Sequence, residues 1–176
     1  MAKLLALPFL ILLACLLAGL YGMVHNQISY TVGPDYFHAF KFLQFNIAEA
    51  LPYRVGAAIV GWRASWWMGL VIGVPIAALA VLMPSVGHMM RAFLRAAMMV
   101  VGVTLVLGVS SLAFTVDPDR YDLFRIPQGV EDPAGFVRAG LMHDASYVAG
   151  LIGLLAGVIY MIVAVVKARR RVRATD

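Results

Sequence analysis

Charged residues are scarce in this chain: Asp, Glu, Lys and Arg make up 13% of its 176 residues, while 62% are apolar. Soluble globular domains average about 25% charged residues. The composition therefore excludes an ordinary water-soluble domain. The single cysteine, Cys15, also excludes an intramolecular disulfide. Because Cys15 lies within the first apolar run, we interpret it as a helix-packing residue in a span that is retained in the protein.

Several motifs that carry chemistry are missing from the sequence. There is no HExxH, no CxxC and no glycine-rich phosphate loop. No charged residue lies in the middle of an apolar run, which argues against an ion pump because intramembrane charges usually mark ion pathways. The lack of an inverted repeat argues against a classical secondary transporter. Any site must therefore be assembled from residues that are distant in the chain.

Four long runs without charged residues are present instead, at residues 4–24, 64–83, 96–116 and 145–166. Each has about 20 residues, the length that crosses the hydrocarbon core of a bilayer as a helix. The sequence predicts an all-α integral membrane protein, residues 1–176, forming a single four-transmembrane-helix bundle. We expect the second helix to extend outward from about residue 53 and a small external cap of short helix and loop.

The basic residues predict the orientation of the bundle. They concentrate before the first run, between the second and third runs, and in the tail 167–176: Lys3, Arg91, Arg95, Lys167, Arg169, Arg170, Arg171 and Arg173. By the positive-inside rule both termini are cytoplasmic, and segments 25–63 and 117–144 are external. The overall pattern is typical of a multi-pass protein of the bacterial inner (plasma) membrane. We interpret the tail as an anchor that contacts anionic lipids rather than nucleic acid.

Small residues predict how the helices pack. In the second run they recur at every fourth position: Ala57, Gly61, Ser65, Gly69, Gly73 and Ala77. Such stripes allow helix backbones to approach closely. We expect spans one, two and four to pack tightly, with span three more peripheral, and a kink at Pro75. Pro34 is expected to begin a short external helix with Asp35 in its first turn.

Three histidines are predicted to share one membrane depth on the external side. His25 follows the first run, His38 lies in the cap and His143 precedes the fourth run, whereas His88 is interpreted as a surface residue. Asp35, Glu49, Asp144 and Tyr147 fall at the same level. Imidazole and carboxylate groups together suit a transition metal such as Zn, Cu or Fe. Alternatively, His25 and His143 are axial ligands of a b-type haem, with Tyr147 beside the cofactor.

Structural roles compete with these site assignments. Asp144 is a natural N-cap for the fourth span, His25 suits the C-terminal end of the first, and Tyr147 fits an interfacial aromatic belt. Three functions remain open: a metal or haem site, possibly redox; a structural or assembly subunit; and an enzyme acting on a lipid or quinone. The expected partners are membrane lipids and either other membrane subunits or further copies of this chain, without nucleic acid.

Overall fold

The computed structural model describes residues 1–114 and 126–173 and is helical, with no strand among them. Part of the predicted external segment 117–144 and the end of the predicted third span therefore lie outside the described residues. The long helices are α1 (Ala2–Val32), α4 (Tyr53–Ser65), α5 (Met68–Ala80), α6 (Val86–Ser110) and α7 (Pro133–Arg173). Two short helices, α2 (Pro34–Tyr36) and α3 (Phe42–Gln44), flank a π-helical turn, Phe37–Lys41, and α6 continues into a 3₁₀ turn, Ser111–Ala113.

Three of these helices, α1, α6 and α7, are each long and apolar enough to cross a membrane. The bent pair α4–α5 is a fourth such span if it is counted as one. The architecture is therefore consistent with a helical protein embedded in a membrane. α1 and α7 extend beyond the predicted apolar runs at both ends, and α6 begins before its run. Hydropathy marks the stretch that prefers lipid and not the residues at which a helix ends.

The helix predicted to run from residue 53 to 83 is divided into two. α4 and α5 meet at Trp66–Trp67 with a bend of 45°. At this point Gly69 N–H donates to Trp66 O, three residues back, instead of continuing the α-helical pattern. α5 continues through Pro75, so the break between the two helices lies at the tryptophan pair, and the kink at Pro75 stays a prediction.

Close backbone contacts hold α1 against α4 and α5. A Cβ added to Gly61 would collide with Gly22 O, and one added to Gly69 would collide with the backbone of Cys15. The small-residue stripe of the second span thus faces α1, and Cys15 lies at a helix contact. At the far end of α5, Lys3 Nζ donates to Val81 O at 3.0 Å and Met83 O at 2.8 Å, which satisfies carbonyls that a helix end leaves free.

The prediction that span three is peripheral is wrong. α6 packs along α7 more extensively than any other two helices pack in the described residues. Gly153 and Gly157 of α7 lie against Val100 of α6, and Gly108 of α6 lies against Ser146 of α7. The small residues of the fourth span therefore serve the contact with α6, whereas those of the second span serve the contact with α1.

The end of the bundle that carries α2, the π-helical turn and α3, here named the cap end, is tied to the start of α7. Pro34 begins α2, and Asp35 lies in its first turn. Asp35 Oδ2 accepts hydrogen bonds from the N–H groups of Glu131 and Asp132 at 2.8 and 2.9 Å. Asp132 Oδ1 in turn accepts from Gly135 N–H at 2.9 Å, the typical bond of a helix N-cap. α7 therefore starts at Pro133, and the prediction of Asp144 as an N-cap is wrong because Asp144 lies well inside the helix.

We expect Asp35→Ala to lower the free energy of unfolding by about 1 kcal/mol, the typical loss when a capping acceptor is removed. The substitution leaves the N–H groups of Glu131 and Asp132, immediately before α7, without their carboxylate. The matched control is Glu49→Ala, because Glu49 is exposed and surface changes usually stay within about 0.5 kcal/mol. Denaturation in mixed detergent micelles measures both. Equal losses for the two variants would contradict the capping role.

Candidate functional site

His25 of α1 and His143 of α7 meet inside the bundle near its cap end. Their ring centroids are 4.8 Å apart in an edge-to-face arrangement. Only 3% of His25 and 8% of His143 is exposed. The side chains of Tyr36 and Phe37 cover His143, with ring centroids 5.1 and 6.1 Å away. The structure thus brings together two imidazoles that are far apart in the chain, beneath aromatic rings of the cap.

Asn26 connects the two imidazoles to α4. Its Nδ2 donates to Ala57 O at 3.0 Å, so its Oδ1 faces the histidines, 3.3 Å from His25 Nδ1 and 3.1 Å from His143 Nε2. Because an amide oxygen only accepts hydrogen bonds, His25 carries its hydrogen on Nδ1. The other nitrogen of His25, Nε2, is then free to accept.

The nitrogen His25 Nε2 faces the hydroxyl of Ser146, with 2.9 Å between Nε2 and Oγ. Ser146 therefore donates to His25 and accepts from the Tyr21 hydroxyl, whose oxygen is 3.1 Å from Ser146 Oγ. The result is a chain of contacts from Tyr21 through Ser146 and His25 to Asn26.

Both ring nitrogens of His143 face oxygen atoms that accept hydrogen bonds. Its Nδ1 lies 2.8 Å from Ala139 O, and because a carbonyl only accepts, Nδ1 carries the hydrogen. In a neutral ring, Nε2 then turns a lone pair toward Asn26 Oδ1, which is already an acceptor for His25. In that neutral form two acceptors face each other at this contact, so Asn26 Oδ1 accepts a hydrogen bond from His25 alone.

Sequence reasoning missed Tyr21, Asn26 and Ser146. The available signal was helical spacing: Ser146 is three residues after His143, and Tyr21 is four residues before His25, so each pair shares a helix face. That spacing does not reveal that Ser146 contacts the histidine of the other helix. The contact depends on how α1 and α7 are rotated against each other.

An apolar cavity of about 100 Å³ adjoins the polar cluster. Its walls come from α1, α4, α5, α6 and α7, with side chains such as Leu17, Met68, Ile72, Phe93 and Val101. Tyr21, His25, Asn26, Thr104, His143 and Ser146 contribute the polar part of its lining. Tyr147 also lines the cavity and is 43% exposed, so the cavity reaches the surface of the bundle. Water-filled and apolar-ligand cavities in proteins have volumes of this order.

The histidine pair, as arranged, does not fit a metal ion or a haem. No group of three or more His, Cys, Asp or Glu side chains is placed to hold a metal ion in the described parts of the chain. The two imidazoles touch each other at 4.8 Å, which leaves no slot for a flat macrocycle between them. Their Nε2 atoms face Ser146 and Asn26 rather than a common point. The arrangement therefore does not support the metal or haem hypothesis.

The remaining predicted site residues are not gathered around the imidazoles. Asp35 binds the start of α7, and Glu49 is exposed between α3 and α4. His38 is exposed, with its Nε2 3.0 Å from the Tyr30 hydroxyl and its ring edge-to-face with Tyr53 at 4.4 Å. Asp144 is exposed on α7, one residue from His143. Tyr147 alone joins the two histidines, as part of the cavity wall.

His88, interpreted from the sequence as a surface residue, lies in the first turn of α6. Its Nδ1 is 2.8 Å from Ser85 Oγ, and its N–H donates to the same hydroxyl at 3.4 Å. His88 is therefore part of the cap of α6, distant from the histidine pair.

Electrostatics at the rim of the site involve Lys41 and Tyr36. Burial lowers the pKa of Lys41, and the nearby Asp144 carboxylate partly opposes this shift. The Lys41 ammonium lies 4.5 Å from the centroid of Phe40 and donates to Gln44 Oε1 at 2.9 Å. Burial also raises the pKa of Tyr36, so Tyr36 keeps its proton. The Lys41 ammonium therefore lies over the neutral rings of Phe40 and Tyr36 at the rim.

Comparison with known proteins adds no relative: no protein-family model, curated protein or solved structure matches this chain.

Proposed function

We propose that the protein binds a lipid-soluble molecule bearing a carbonyl group and presents that group to Ser146, His25 and Tyr21. The observation that carries the proposal is the cavity itself, which is apolar along α5 and α6 and ends at a buried polar cluster. Ligand sites commonly combine an apolar wall with a few convergent polar groups. An amphipathic ligand matches both parts at once.

The size of the cavity defines which part of the ligand enters. A volume of about 100 Å³ holds a headgroup fragment rather than a whole lipid, since a 150 Å³ cavity accommodates about one benzene ring. The rest of the ligand would lie along the surface of the bundle beside Tyr147. In that position its chains would remain in contact with the surrounding bilayer.

The hydrogen-bonding groups favour a carbonyl over a charged head. Ser146 and Tyr21 supply hydroxyl donors, and in the part of the site that the structure describes no Lys or Arg side chain lines the cavity. A phosphate or carboxylate there would lack a counter-charge, which is costly in an apolar environment. Both acyl esters and quinones carry suitable carbonyl groups.

Filling the cavity should abolish ligand binding without unfolding the protein. Gly150 lines the cavity, and a Cβ added there would meet only Ile72 and Met68 at ordinary contact distances of 3.8 and 3.9 Å. We expect Gly150→Leu to weaken binding by about tenfold or more, equivalent to a loss of about 1.4 kcal/mol.

The measurement is photo-crosslinking in nanodiscs with a phospholipid that carries a diazirine next to its acyl ester. Mass spectrometry then locates the crosslinked residues. Gly102→Leu is the matched control, because nothing lies within 4 Å of a Cβ at Gly102. Crosslinks confined to the outer surface of the bundle in the unsubstituted protein, or equal cavity crosslinking in both variants, would contradict the proposal.

A further inference from the structure

We infer that Ser146 is a nucleophile activated by His25, and that the carbonyl ligand is an acyl ester of a lipid whose acyl group is transferred through Ser146. This inference rests on the proposed function, because it requires the ester to enter the cavity beside Ser146. It deepens that function by naming a reaction class and the group that performs each step.

The geometry has the three contacts that a serine nucleophile requires. Ser146 Oγ lies 2.9 Å from His25 Nε2, within the range of a nucleophile–base hydrogen bond. His25 Nδ1 lies 3.3 Å from Asn26 Oδ1, which orients the ring and selects the tautomer with Nε2 free. An amide serves as this third group in the Cys–His–Asn arrangement of some proteases. Asn26 is itself fixed by its bond to Ala57 O at 3.0 Å.

Ser146 differs from Ser110 and Ser111 of the neighbouring helix in the partner that its hydroxyl faces. Ser110 and Ser111 donate to the backbone carbonyls of Val106 and Gly108 at 2.7 and 2.6 Å, the usual bond of a serine near a helix turn. Ser146 instead faces an imidazole that was contributed by another helix. Its hydroxyl also lines the cavity, so a bound ester would be within its reach.

Tyr21 is placed to stabilise the charge that develops on the ester oxygen. Its hydroxyl lies 3.1 Å from Ser146 Oγ and lines the same cavity. A hydrogen-bond donor beside the nucleophile stabilises the oxyanion of a tetrahedral intermediate. The Thr104 hydroxyl donates within its own helix to Val100 O at 2.8 Å, whereas the Tyr21 hydroxyl already points at the nucleophile and would turn from Ser146 Oγ to the ester oxygen. We therefore assign the oxyanion contact to Tyr21.

The reaction balances with these residues and one acceptor alcohol or water. Ser146 Oγ forms a bond to the ester carbonyl carbon while its proton moves to His25 Nε2. The intermediate collapses by breaking the carbon–oxygen bond of the ester, and the leaving alkoxide takes the proton from His25. Water or a second alcohol then gives its proton to His25 Nε2 and bonds to the acyl carbon. The bond from that carbon to Ser146 Oγ breaks, and Ser146 Oγ takes the proton back from His25, which releases the acid or new ester and restores both residues.

The test is covalent labelling of the full-length protein in nanodiscs with an alkyl fluorophosphonate, which phosphonylates activated serines. We expect Ser146 to be labelled and Ser110 and Ser111 to remain unlabelled, as shown by peptide mass spectrometry. His25→Gln should slow the labelling by about 100-fold or more, since a general base typically contributes 10²–10⁴-fold. Labelling of Ser146 that is unchanged in His25→Gln would overturn the inference.

A thiol variant tests the same geometry independently of folding defects in the histidine variant. The thiol of Ser146→Cys should react with a small maleimide faster than the thiol of a matched Ser110→Cys variant. Its pH profile of alkylation should also lie at lower pH than that of Ser110→Cys, because His25 favours the thiolate. Both variants should carry Cys15→Ala so that one thiol remains. Identical rates and profiles would overturn the inference.

The failure of this inference is distinguishable from the failure of the proposed function. Cavity crosslinking of the diazirine lipid without labelling of Ser146 leaves lipid binding in place and overturns acyl transfer. If a short-chain ubiquinone competes with that crosslinking and Ser146 is not labelled, the cavity is a quinone site, and acyl transfer is again overturned. Acyl transfer is supported if the unsubstituted protein releases fatty acid from a phospholipid and the Ser146→Ala variant does not.

Discussion

Gly61→Ala should lower the free energy of unfolding by about 3 kcal/mol, the upper part of the range for overpacking a tight contact. The added methyl group would meet Gly22 O and C and the Met23 backbone nitrogen across the contact between α1 and α4. Backbone atoms of a helix cannot rotate aside as a flexible side chain can. The two helices must therefore separate, and they would lose contact along much of their length.

Gly102→Ala is the matched control for this prediction, because it makes the same change in an exposed part of α6 where nothing lies within 4 Å of the added atom. Alanine favours a helix over glycine by about 0.5–1 kcal/mol, so this variant should be as stable as the unsubstituted protein or slightly more stable. Reversible unfolding in mixed detergent and dodecyl sulfate micelles measures both. A loss in Gly61→Ala no larger than in Gly102→Ala would show that α1 and α4 do not approach as closely as described.

Asn26→Leu should have the second large effect, with a loss of about 2 kcal/mol in stability. The substitution keeps the approximate size of the side chain but removes the contacts to Ala57 O, His25 and His143. Hydrogen bonds between helices in membranes contribute about 0.6 kcal/mol on average and up to about 1.7. Leaving buried imidazole nitrogens unpaired adds to that loss.

The neighbouring residue provides the control for Asn26→Leu. Gln27 Nε2 also links α1 to α4, by donating to Arg54 O at 3.0 Å, but it does so on the exposed side. Gln27→Leu should cost less than about 0.5 kcal/mol, because water or headgroups can replace the lost partner. If the site is functional as inferred, Asn26→Leu should also slow fluorophosphonate labelling of Ser146, whereas Gln27→Leu should not. Similar stability for the two variants would contradict the role of the buried network.

Much of the architecture was predictable because it depends on properties that act within one segment. Apolar runs of about 20 residues must form helices in lipid, since no water is available to pair their backbone groups. The four-residue spacing of Gly61, Ser65 and Gly69 likewise indicated a contact face before the partner helix was known. Pro34 marked the start of α2, because its ring suits the first helical turn.

Boundaries and bends were less predictable, for reasons that particular residues show. α7 begins at Pro133 because Asp132 accepts from Gly135 N–H, while Asp35 fixes the N–H groups of Glu131 and Asp132 just before the helix. This start lies well before the apolar run at residues 145–166. The bend at Trp66–Trp67 lies between two close contacts with α1, one at Gly61 of α4 and one at Gly69 of α5. Hydropathy contains no information on either point.

The sequence alone was sufficient to predict that His25 and His143 lie at the same end of the bundle, because topology and the lengths of the apolar runs fix their depth. It did not determine which neighbours they meet. Only the tertiary structure placed Ser146 Oγ at 2.9 Å from His25 Nε2 and Asn26 between the two rings. Helical periodicity fixes which side chains share a face of one helix, whereas the rotation and sliding of one helix against another are set by packing. In this protein the close approach of Gly22 and Gly61 and the packing of α6 on α7 provide that constraint.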